Sequence, residues 1–205
     1  MHHDILQDTL KRYPQLEVCA PSIEDSFGLL KGTFKGGGKL LICGNGGSAA
    51  DAEHVMAELM KAFLKPRKLS DQDKELVGEA FAVQLQGALP AISLVSFSAF
   101  HTAFANDCDP AYIFAQLLWG IGKPGDALFA ISTSGNSTNV LHAVELANRI
   151  GIHTVALTGE SGGQLAGLVD VAICVPASRV DQIQELHLPV YHCLCLLLEA
   201  HFFRG

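Results

Sequence analysis

Residues 39–63 read KLLICGNGGSAADAEHVMAELMKAF, and the interpretation of the whole chain starts from them. The apolar run 40–43 predicts a short buried strand. The glycines of 44–48 suit a flexible loop, and the residues from Ala49 onward are strong helix formers without proline. Where such a loop enters a helix, free backbone N–H groups and the positive end of the helix dipole favour an anion. The stretch therefore predicts a phosphate-binding loop between a strand and a helix.

Two side chains on this predicted helix suggest chemistry beyond anion binding. His54 and Glu58 are four residues apart, which places them on one helix face. An imidazole and a carboxylate beside an anion site are typical of acid–base catalysis. Two alternatives stay open for this stretch. The pair could be an ordinary solvated helix pair, and the glycine loop also fits the dinucleotide pattern G-x-G-x-x-G/A.

Composition restricts the class of protein. The 205 residues are 49% hydrophobic and 17% charged, which fits one α/β domain with a full core. A net charge of −7 and sparse basic clusters argue against a nucleic-acid partner. There is no signal-peptide pattern or bilayer-spanning apolar run, so we expect a soluble cytoplasmic protein with no membrane partner. The six scattered cysteines are expected to be buried free thiols.

Strand and helix patterns alternate along the chain. A helix is predicted at 138–150 and a long closing helix at about 179–203. The alternation implies a parallel sheet covered on both faces. We therefore expect a single α/β domain over 1–205, a three-layer sandwich. Its predicted strands are 40–43, 91–95, 127–131, 154–157 and 171–175.

Two segments fall outside this alternation. Residues 1–35 show two amphipathic helices, broken by Pro14 and Pro21, that have little to cover in a small sheet and are expected to serve oligomer packing. Residues 64–88 are polar and charged, with Ser70 as the N-cap of a helix over 71–86. We expect this 64–88 segment to be a lid or an interface element.

A second polar loop, residues 132–137, follows the third predicted strand. Capping of the next helix explains one or two of its four hydroxyls but not all of them. Both polar loops leave carboxyl ends of parallel strands, where ligands of such sheets bind. A monophosphate in the second loop is the preferred interpretation. No nucleotide cofactor is expected, because no acidic residue ends the strand after the glycines. The four hydroxyls belong to Ser132, Thr133, Ser134 and Ser137.

The closing helix adds further candidate groups. Gln184 and His192 point within about 80° of each other, two turns apart on an ideal helix. Pro189 lies between them and should kink the helix. A lone histidine here would usually be a packed or surface residue. Two histidines, His187 and His192, together with Gln184 and the His54–Glu58 pair favour a functional site.

Nearly the whole chain resembles a known family. Gly-Asn-Gly-Gly-Ser (44–48), His54-x-x-x-Glu58, Ala-Asn-Asp (105–107), Ile-Ser-Thr-Ser-Gly-Asn-Ser (131–137), Leu-Thr-Gly-x-x-Gly-Gly (157–163) and Ile-Gln-Glu-x-His (183–187) with His192 occur in order. In combination they resemble the phosphoheptose isomerases of the sugar isomerase (SIS) fold. The resemblance implies a five-stranded parallel sheet, a homotetramer with active sites at subunit interfaces, and a phosphorylated sugar as partner. The implied reaction interconverts sedoheptulose 7-phosphate and a manno-heptose 7-phosphate through a cis-enediol.

The resemblance also implies roles for individual residues. Glu58 and His192 would be the catalytic acid–base pair. His54, Glu58, Gln184 and His192 would be the zinc ligands that some members have, and the two roles compete for Glu58 and His192. Contacts to the substrate are expected from Asn45, Gly46, Gly47, Ser48, Asn106, Asp107, Ser132, Thr133, Ser134, Ser137, Asp181 and Gln184.

Two departures from the family pattern leave the sugar open. Residues 59–62 are Leu-Met-Lys-Ala where the family has Gly-Arg, whose arginine helps to hold substrate, and the 64–88 segment is longer than usual. The alternative function is a non-catalytic SIS module that binds a sugar phosphate or a protein partner such as the replication initiator. His192 favours the enzyme, because such modules resemble the family without that histidine. A regulatory SIS domain is disfavoured, because no helix-turn-helix segment precedes the core.

Overall fold

A five-stranded, entirely parallel sheet forms the centre of the protein, which a computed structural model describes over residues 2–203. Its strand order is β2-β1-β3-β4-β5. Leu40 pairs with Ala91 on one side and with Ala127 on the other. The predicted α/β class and parallel sheet are therefore confirmed. The strands are β1 (Leu40–Cys43), β2 (Ala91–Ser93), β3 (Ala127–Ile131), β4 (His153–Thr158) and β5 (Val171–Cys174).

Helices cover both faces of the sheet. Alternate strand residues point to opposite faces, so Leu40 and Ile42 enter one core, and Leu41 and Cys43 enter the other. The first core includes residues of α1, α2, α3 and α9, and the second includes residues of α7 and α8. The helices are α1 (His2–Arg12), α2 (Ala20–Lys35), α3 (Gly47–Met60), α4 (Asp71–Val77), α5 (Glu79–Ala82), α6 (Ser98–Asp107), α7 (Ile113–Ile121), α8 (Thr138–Ile150) and α9 (Val180–Phe202).

The N-terminal helices pack against their own chain. Leu6 and Leu10 of α1 and Ile23 and Leu30 of α2 are all buried in the first core. Helix α1 lies against α9, and α2 lies against both α9 and β5. The expectation that these helices have little to cover was wrong, because the sheet and α9 present enough apolar surface for both. Their role in oligomer packing stays a prediction.

The 64–88 segment differs from the single helix predicted over 71–86. Ser70 is the N-cap of α4, as predicted, and its hydroxyl accepts a hydrogen bond from Asp73 N. Helix α4 ends at Val77 because Gly78 adopts φ 80°, a left-handed conformation that does not continue a helix. A short helix, α5, follows. Neither helix has a buried residue, so both lie outside the core, whereas Arg67 ahead of them is buried.

Helix α9 runs on through Pro189 as one element of 23 residues. The cysteines are all free, but Cys108 is exposed and Cys174 is half-buried, which corrects the expectation that all six are buried. Cys108 directly follows α6, a helix without any buried residue. Within residues 2–203, no helix has both the length and the apolar character needed to cross a membrane.

Candidate active site

The first polar loop connects β1 to α3, as the sequence predicted. Asn45 and Gly46 are exposed, whereas Ser48 in the first turn of α3 is buried. A Cβ on Gly47 would lie 2.4 Å from Nε2 of Gln184, so the end of the Gln184 side chain occupies the space beside this glycine. The loop therefore brings Gln184 of the closing helix to the N-terminus of α3.

Asn45 links the two polar loops. Its side-chain amide exchanges two hydrogen bonds of 2.9 Å with that of Asn139, in the first turn of α8. Because α8 starts directly after the second loop, this pair fixes the first loop against the second. Asn139 was not among the predicted site residues. The reciprocal amide pair depends on the packing of two separate strand–loop–helix units, and no sequence signal reveals it.

The second loop carries the predicted hydroxyls between β3 and α8. Ser132 Oγ and Ser137 Oγ lie 3.0 Å apart, and Ser132 is buried while Ser137 is half-buried. Ser134 is exposed, and its Oγ accepts a hydrogen bond from Asn136 N. Thr133 supplies a backbone carbonyl to Gly159 N. Hydroxyls and the N-terminus of a 13-residue helix thus meet in one short loop.

A third loop, residues 159–163, supports the second one. A Cβ on Gly135 would lie 2.0 Å from Gly162 O, so the two backbones touch where only glycine fits. Oδ1 of Asn136 also accepts a hydrogen bond from Gln164 N. The close approach of Gly135 and Gly162 explains the Gly-Gly pair in the third loop. The third loop thus packs against the hydroxyl-bearing second loop and supports it.

The catalytic candidates of α3 and α9 meet beyond the first loop. His54 Nε2 lies 3.3 Å from Glu58 Oε1 and 3.4 Å from His192 Nε2. Glu58 Oε2 also receives Lys61 Nζ at 3.2 Å. The His54 and His192 rings meet edge to face at 4.9 Å between centroids. The structure therefore brings together three of the residues that the sequence predicted, from helices that are far apart in the chain.

Two further residues hold His54 in place, and the sequence analysis missed both. The Tyr191 hydroxyl donates a hydrogen bond to Asp51 Oδ1 at 3.2 Å and lies 3.1 Å from His54 Nδ1. Because the hydroxyl has one hydrogen and gives it to Asp51, it accepts from His54 Nδ1–H. The lone pair of His54 Nε2 then faces Glu58 and His192. Asp51 lies about one helical turn before His54, and this spacing is the sequence signal that could have indicated that the two residues share a helix face.

Burial sets the charge of the residues around this cluster. Burial lowers the pKa of His192, an effect that His54 reinforces and Glu58 opposes, so His192 is neutral at pH 7. Burial also raises the pKa of Tyr191, and the neighbouring Asp51 carboxylate adds to the rise, so the tyrosine keeps its proton. A neutral imidazole beside a carboxylate can accept or donate a proton near pH 7.

Comparison with known proteins matches this chain to one family over nearly its whole length. The SIS domain family model matches residues 7–159. The phosphoheptose isomerase of Rhodospirillum rubrum is 40% identical over 185 residues, 90% of this chain and 88% of the relative. That of Thiobacillus denitrificans is 42% identical over 182 residues, 87% of this chain and 83% of the relative. The chain belongs to the phosphoheptose isomerase family of SIS-domain proteins.

Solved structures agree with this family. A phosphoheptose isomerase from Francisella tularensis superposes with a TM-score of 0.78 at 30% identity, covering 97% of this chain and 96% of that one. The one from Neisseria gonorrhoeae gives a TM-score of 0.76 at 30% identity, with 95% and 94% covered. The predicted SIS fold is thereby confirmed. So is the prediction of an enzyme, an aldose–ketose isomerase of sugar phosphates.

The predicted zinc ligands of this SIS-domain isomerase are only partly gathered. Across residues 2–203, no group of three or more histidine, cysteine, aspartate or glutamate side chains is arranged to hold a metal ion. Gln184 lies against Gly47, as described above. The two separations measured from His54 Nε2 nevertheless equal the ligand–ligand distance in tetrahedral zinc, about 3.3–3.4 Å for bonds of about 2.0–2.1 Å. The pairwise distances at His54 thus match those of zinc ligands, while the described side chains do not together form a metal site.

Three predicted contact residues of the isomerase lie on the surface. Asn106 and Asp107 end α6, where Asn106 Nδ2 donates to Asp107 Oδ1 at 2.8 Å. Asp181, in the first turn of α9, pairs with Arg179, and this hydrogen bond lowers its pKa. These contacts are separate from the hydrogen bonds of the two polar loops and of the His54 cluster. Their contact with substrate stays a prediction.

Proposed function

We propose that this isomerase interconverts sedoheptulose 7-phosphate and a manno-heptose 7-phosphate. The observation that supports the proposal most is the cluster at His54 Nε2, from which Glu58 Oε1 lies 3.3 Å and His192 Nε2 lies 3.4 Å away. The similarity to curated phosphoheptose isomerases along nearly the whole chain supports the seven-carbon sugar.

The 132–137 loop is our candidate for the phosphate site. A phosphate has three oxygens that need hydrogen-bond donors, and this loop combines hydroxyls with the N-terminus of α8. Ser134 is exposed and so accessible to a ligand. The Asn45–Asn139 pair holds the first loop nearby, where it would contact the rest of the sugar. The open chain would then extend from its phosphate towards α3 and α9.

Glu58 and His192 are proposed to move the protons. In the open-chain aldose, the Glu58 carboxylate would remove the proton from C2, and the electron pair would form the C1–C2 double bond of a cis-enediol. His192, being neutral, would give a proton to O1 and take one from O2. Return of the first proton to C1 completes the ketose. The exchange is balanced in protons and electrons and needs no redox cofactor.

Zinc is proposed as a competing role of this cluster, with His54, Glu58, His192 and Gln184 as its ligands, in which case Glu58 and His192 would not act as a free acid and base. His54 suits this role because Tyr191 holds its Nδ1, which leaves Nε2 free to bind a metal. A bound zinc ion would polarise the sugar carbonyl. We expect elemental analysis of purified protein to find zinc, and to find it lost in both His54→Ala and Gln184→Ala. Absence of metal together with activity indifferent to chelators would leave acid–base catalysis alone.

A homotetramer with active sites at subunit interfaces is proposed for the assembly. The 64–88 segment is our candidate for part of the interface, because it exposes several large apolar side chains and large apolar patches are rare on monomers. Leu76 of α4 is 82% exposed, and Phe81 of α5 is 62% exposed. An interface that includes this segment would bury both of them.

The function is tested with a panel of sugar phosphates of five to seven carbons in deuterated water. An enediol mechanism exchanges a carbon-bound proton with solvent, so the true substrate should incorporate deuterium at C1 or C2 in an NMR spectrum. We expect sedoheptulose 7-phosphate to exchange fastest. Faster exchange of a five- or six-carbon phosphate would replace the proposed sugar. No exchange with any of them would contradict the proposed isomerase reaction.

A further inference from the structure

A buried ion pair lies outside the active-site cluster and has no part in the reaction proposed above. Arg67 and Glu199 are 132 positions apart in the chain, and each is 1% exposed. Arg67 Nε donates to Glu199 Oε1 at 2.8 Å. Buried charges are costly unless their remaining hydrogen-bonding groups are satisfied. The partners of these two side chains therefore show what the pair holds together.

Arg67 binds the end of the helix that carries Glu58. Its Nη2 donates to the backbone carbonyl of Glu58 at 2.8 Å, and its Nη1 donates to that of Leu59 at 2.6 Å. Both carbonyls lie in the last turn of α3, where helices lack internal donors. A positive charge at this end also suits the helix dipole. Arg67 thus fixes the backbone of the proposed catalytic carboxylate itself.

Glu199 binds from the helix that carries His192. It lies seven residues after His192, which is two turns and within about 20° of the same helix face. Its carboxylate accepts hydrogen bonds from the backbone N–H groups of the chain that leaves α3. The donors are Phe63, Leu64 and Lys65, at 2.8, 3.0 and 3.2 Å.

We propose that Arg67 and Glu199 are positioning residues, a brace that sets the separation between Glu58 on α3 and His192 on α9. The proposal rests on the proposed function for the roles of those two residues. The brace touches neither their side chains nor the phosphate loop, so it acts through the backbone and the helix spacing. A displacement of about 1 Å in a catalytic group can cost about 100-fold in rate, which makes such a brace consequential.

The test is a double variant, Arg67→Met/Glu199→Gln, which removes both charges and keeps an acceptor for the backbone N–H groups. With sedoheptulose 7-phosphate we expect kcat to fall by about 10- to 100-fold, because the proton-transfer groups lose their alignment. KM should stay within about twofold, because the phosphate loop is untouched. Arg67→Lys, which keeps the charge and can reach one carbonyl, should recover part of the loss.

The matched control is a second ion pair, at the amino ends of two inner strands. Lys39 and Asp126 precede β1 and β3, and the pair is likewise mostly buried. Lys39→Met/Asp126→Asn should lower thermal stability to a similar extent and leave kcat unchanged. A merely structural role for Arg67 and Glu199 predicts the same result in both double variants.

Three results would overturn the brace. They are an unchanged kcat in the folded Arg67→Met/Glu199→Gln protein, an equal kcat loss in the control, and failure of both Arg67 variants to fold while the control folds. The side-chain ¹⁵N NMR signals of His54 and His192 give a readout without turnover. They should shift in the brace variant and not in the control. If the wild-type protein turned over no sugar phosphate, the proposed function would fail. The NMR signals would still show whether Arg67 and Glu199 set the positions of the two histidines.

Discussion

At the scale of single residues, the arrangement around His54 determines which groups can move a proton. Tyr191 and Asp51 hold Nδ1, so that Nε2 faces a carboxylate and a second imidazole. A proton or a cation between these three atoms would be stabilised by the carboxylate and by the His54 lone pair. Acid–base chemistry and zinc binding are both proposed for these atoms, and the two roles compete for Glu58 and His192.

The acid–base assignment predicts a specific pattern of lost turnover. A positioned proton-transfer group contributes about 10²–10⁴-fold, so Glu58→Gln and His192→Asn should each lose at least 100-fold in kcat. Binding of sugar phosphate should persist, because the phosphate loop is unchanged. If both residues act in one step, the double variant should be little worse than either single variant. Near-normal turnover of His192→Asn, measured by proton exchange, would refute the assignment.

Acid stability should depend on His187. The residue is fully buried, and neither ring nitrogen makes a hydrogen bond of normal geometry within the described chain. Burial lowers the pKa of His187 to about 4, with the backbone near Thr158 opposing the change. Below pH 6.5 the unfolded chain therefore binds a proton at His187 that the folded protein does not bind. The free energy of unfolding should fall by up to about 3 kcal/mol between pH 6.5 and 4.

The check is the melting temperature of the wild-type protein and of His187→Leu between pH 7 and 4.5. Leucine cannot titrate, so the variant should lose less stability over this range. The residue is separate from the proposed catalytic groups, so the comparison needs no substrate. Parallel curves for the two proteins would show that His187 does not account for the acid sensitivity.

At the scale of elements, the site is built from strand–loop–helix units that support one another. The second loop contacts the third through Gly135, and α8 contacts the first loop through Asn139. Each loop is short because the strand before it and the helix after it are fixed in the core. The hydroxyls of 132–137 are thus ordered before a ligand arrives, which lowers the entropic cost of binding.

The phosphate loop is tested by the double variant Ser134→Ala/Ser137→Ala. Hydrogen bonds to charged groups contribute about 1.5–3 kcal/mol each, so KM for the sugar phosphate should rise by more than about 100-fold. The fold should persist, because Ser134 is exposed and Ser137 half-buried. Ser22→Ala in α2 is the control, since it likewise removes a hydroxyl with one local hydrogen bond, to the carbonyl of Cys19, but lies away from the loops. Unchanged binding in the double variant would make the loop assignment wrong.

At the scale of the whole molecule, the proposed tetramer predicts the mass of the assembly and the surface at which substitutions should dissociate it. Sedimentation should give four times the 21.9 kDa mass of the chain. Leu76→Asp/Phe81→Asp places charges on the exposed apolar surface of the 64–88 segment and should shift the protein to smaller species with lower activity. Glu75→Ala, which changes the charge of the same helix without placing a charge on an apolar side chain, should leave the assembly intact. A wild-type monomer with full activity would contradict interface active sites.

The sequence alone determined the order of strands and helices, the two polar loops and the face shared by His54 and Glu58. These features depend on local propensity and on periodicity, which each stretch of chain carries within itself. The helix predicted over 71–86 was wrong where Gly78 changed the backbone conformation. The surface position of Cys108 was also missed, because α6 packs less closely than its apolar residues suggested.

The tertiary structure decided which of these elements meet. Helical periodicity gives the faces of α3 and α9, but not how far the two helices are rotated and shifted against each other. His54 and His192 are 138 positions apart, and their contact follows from the packing of both helices on one face of the sheet. The same packing brings Tyr191 to His54 and Arg67 to Glu199. Contacts between distant side chains depend on the whole core, and no single stretch of sequence contains that information.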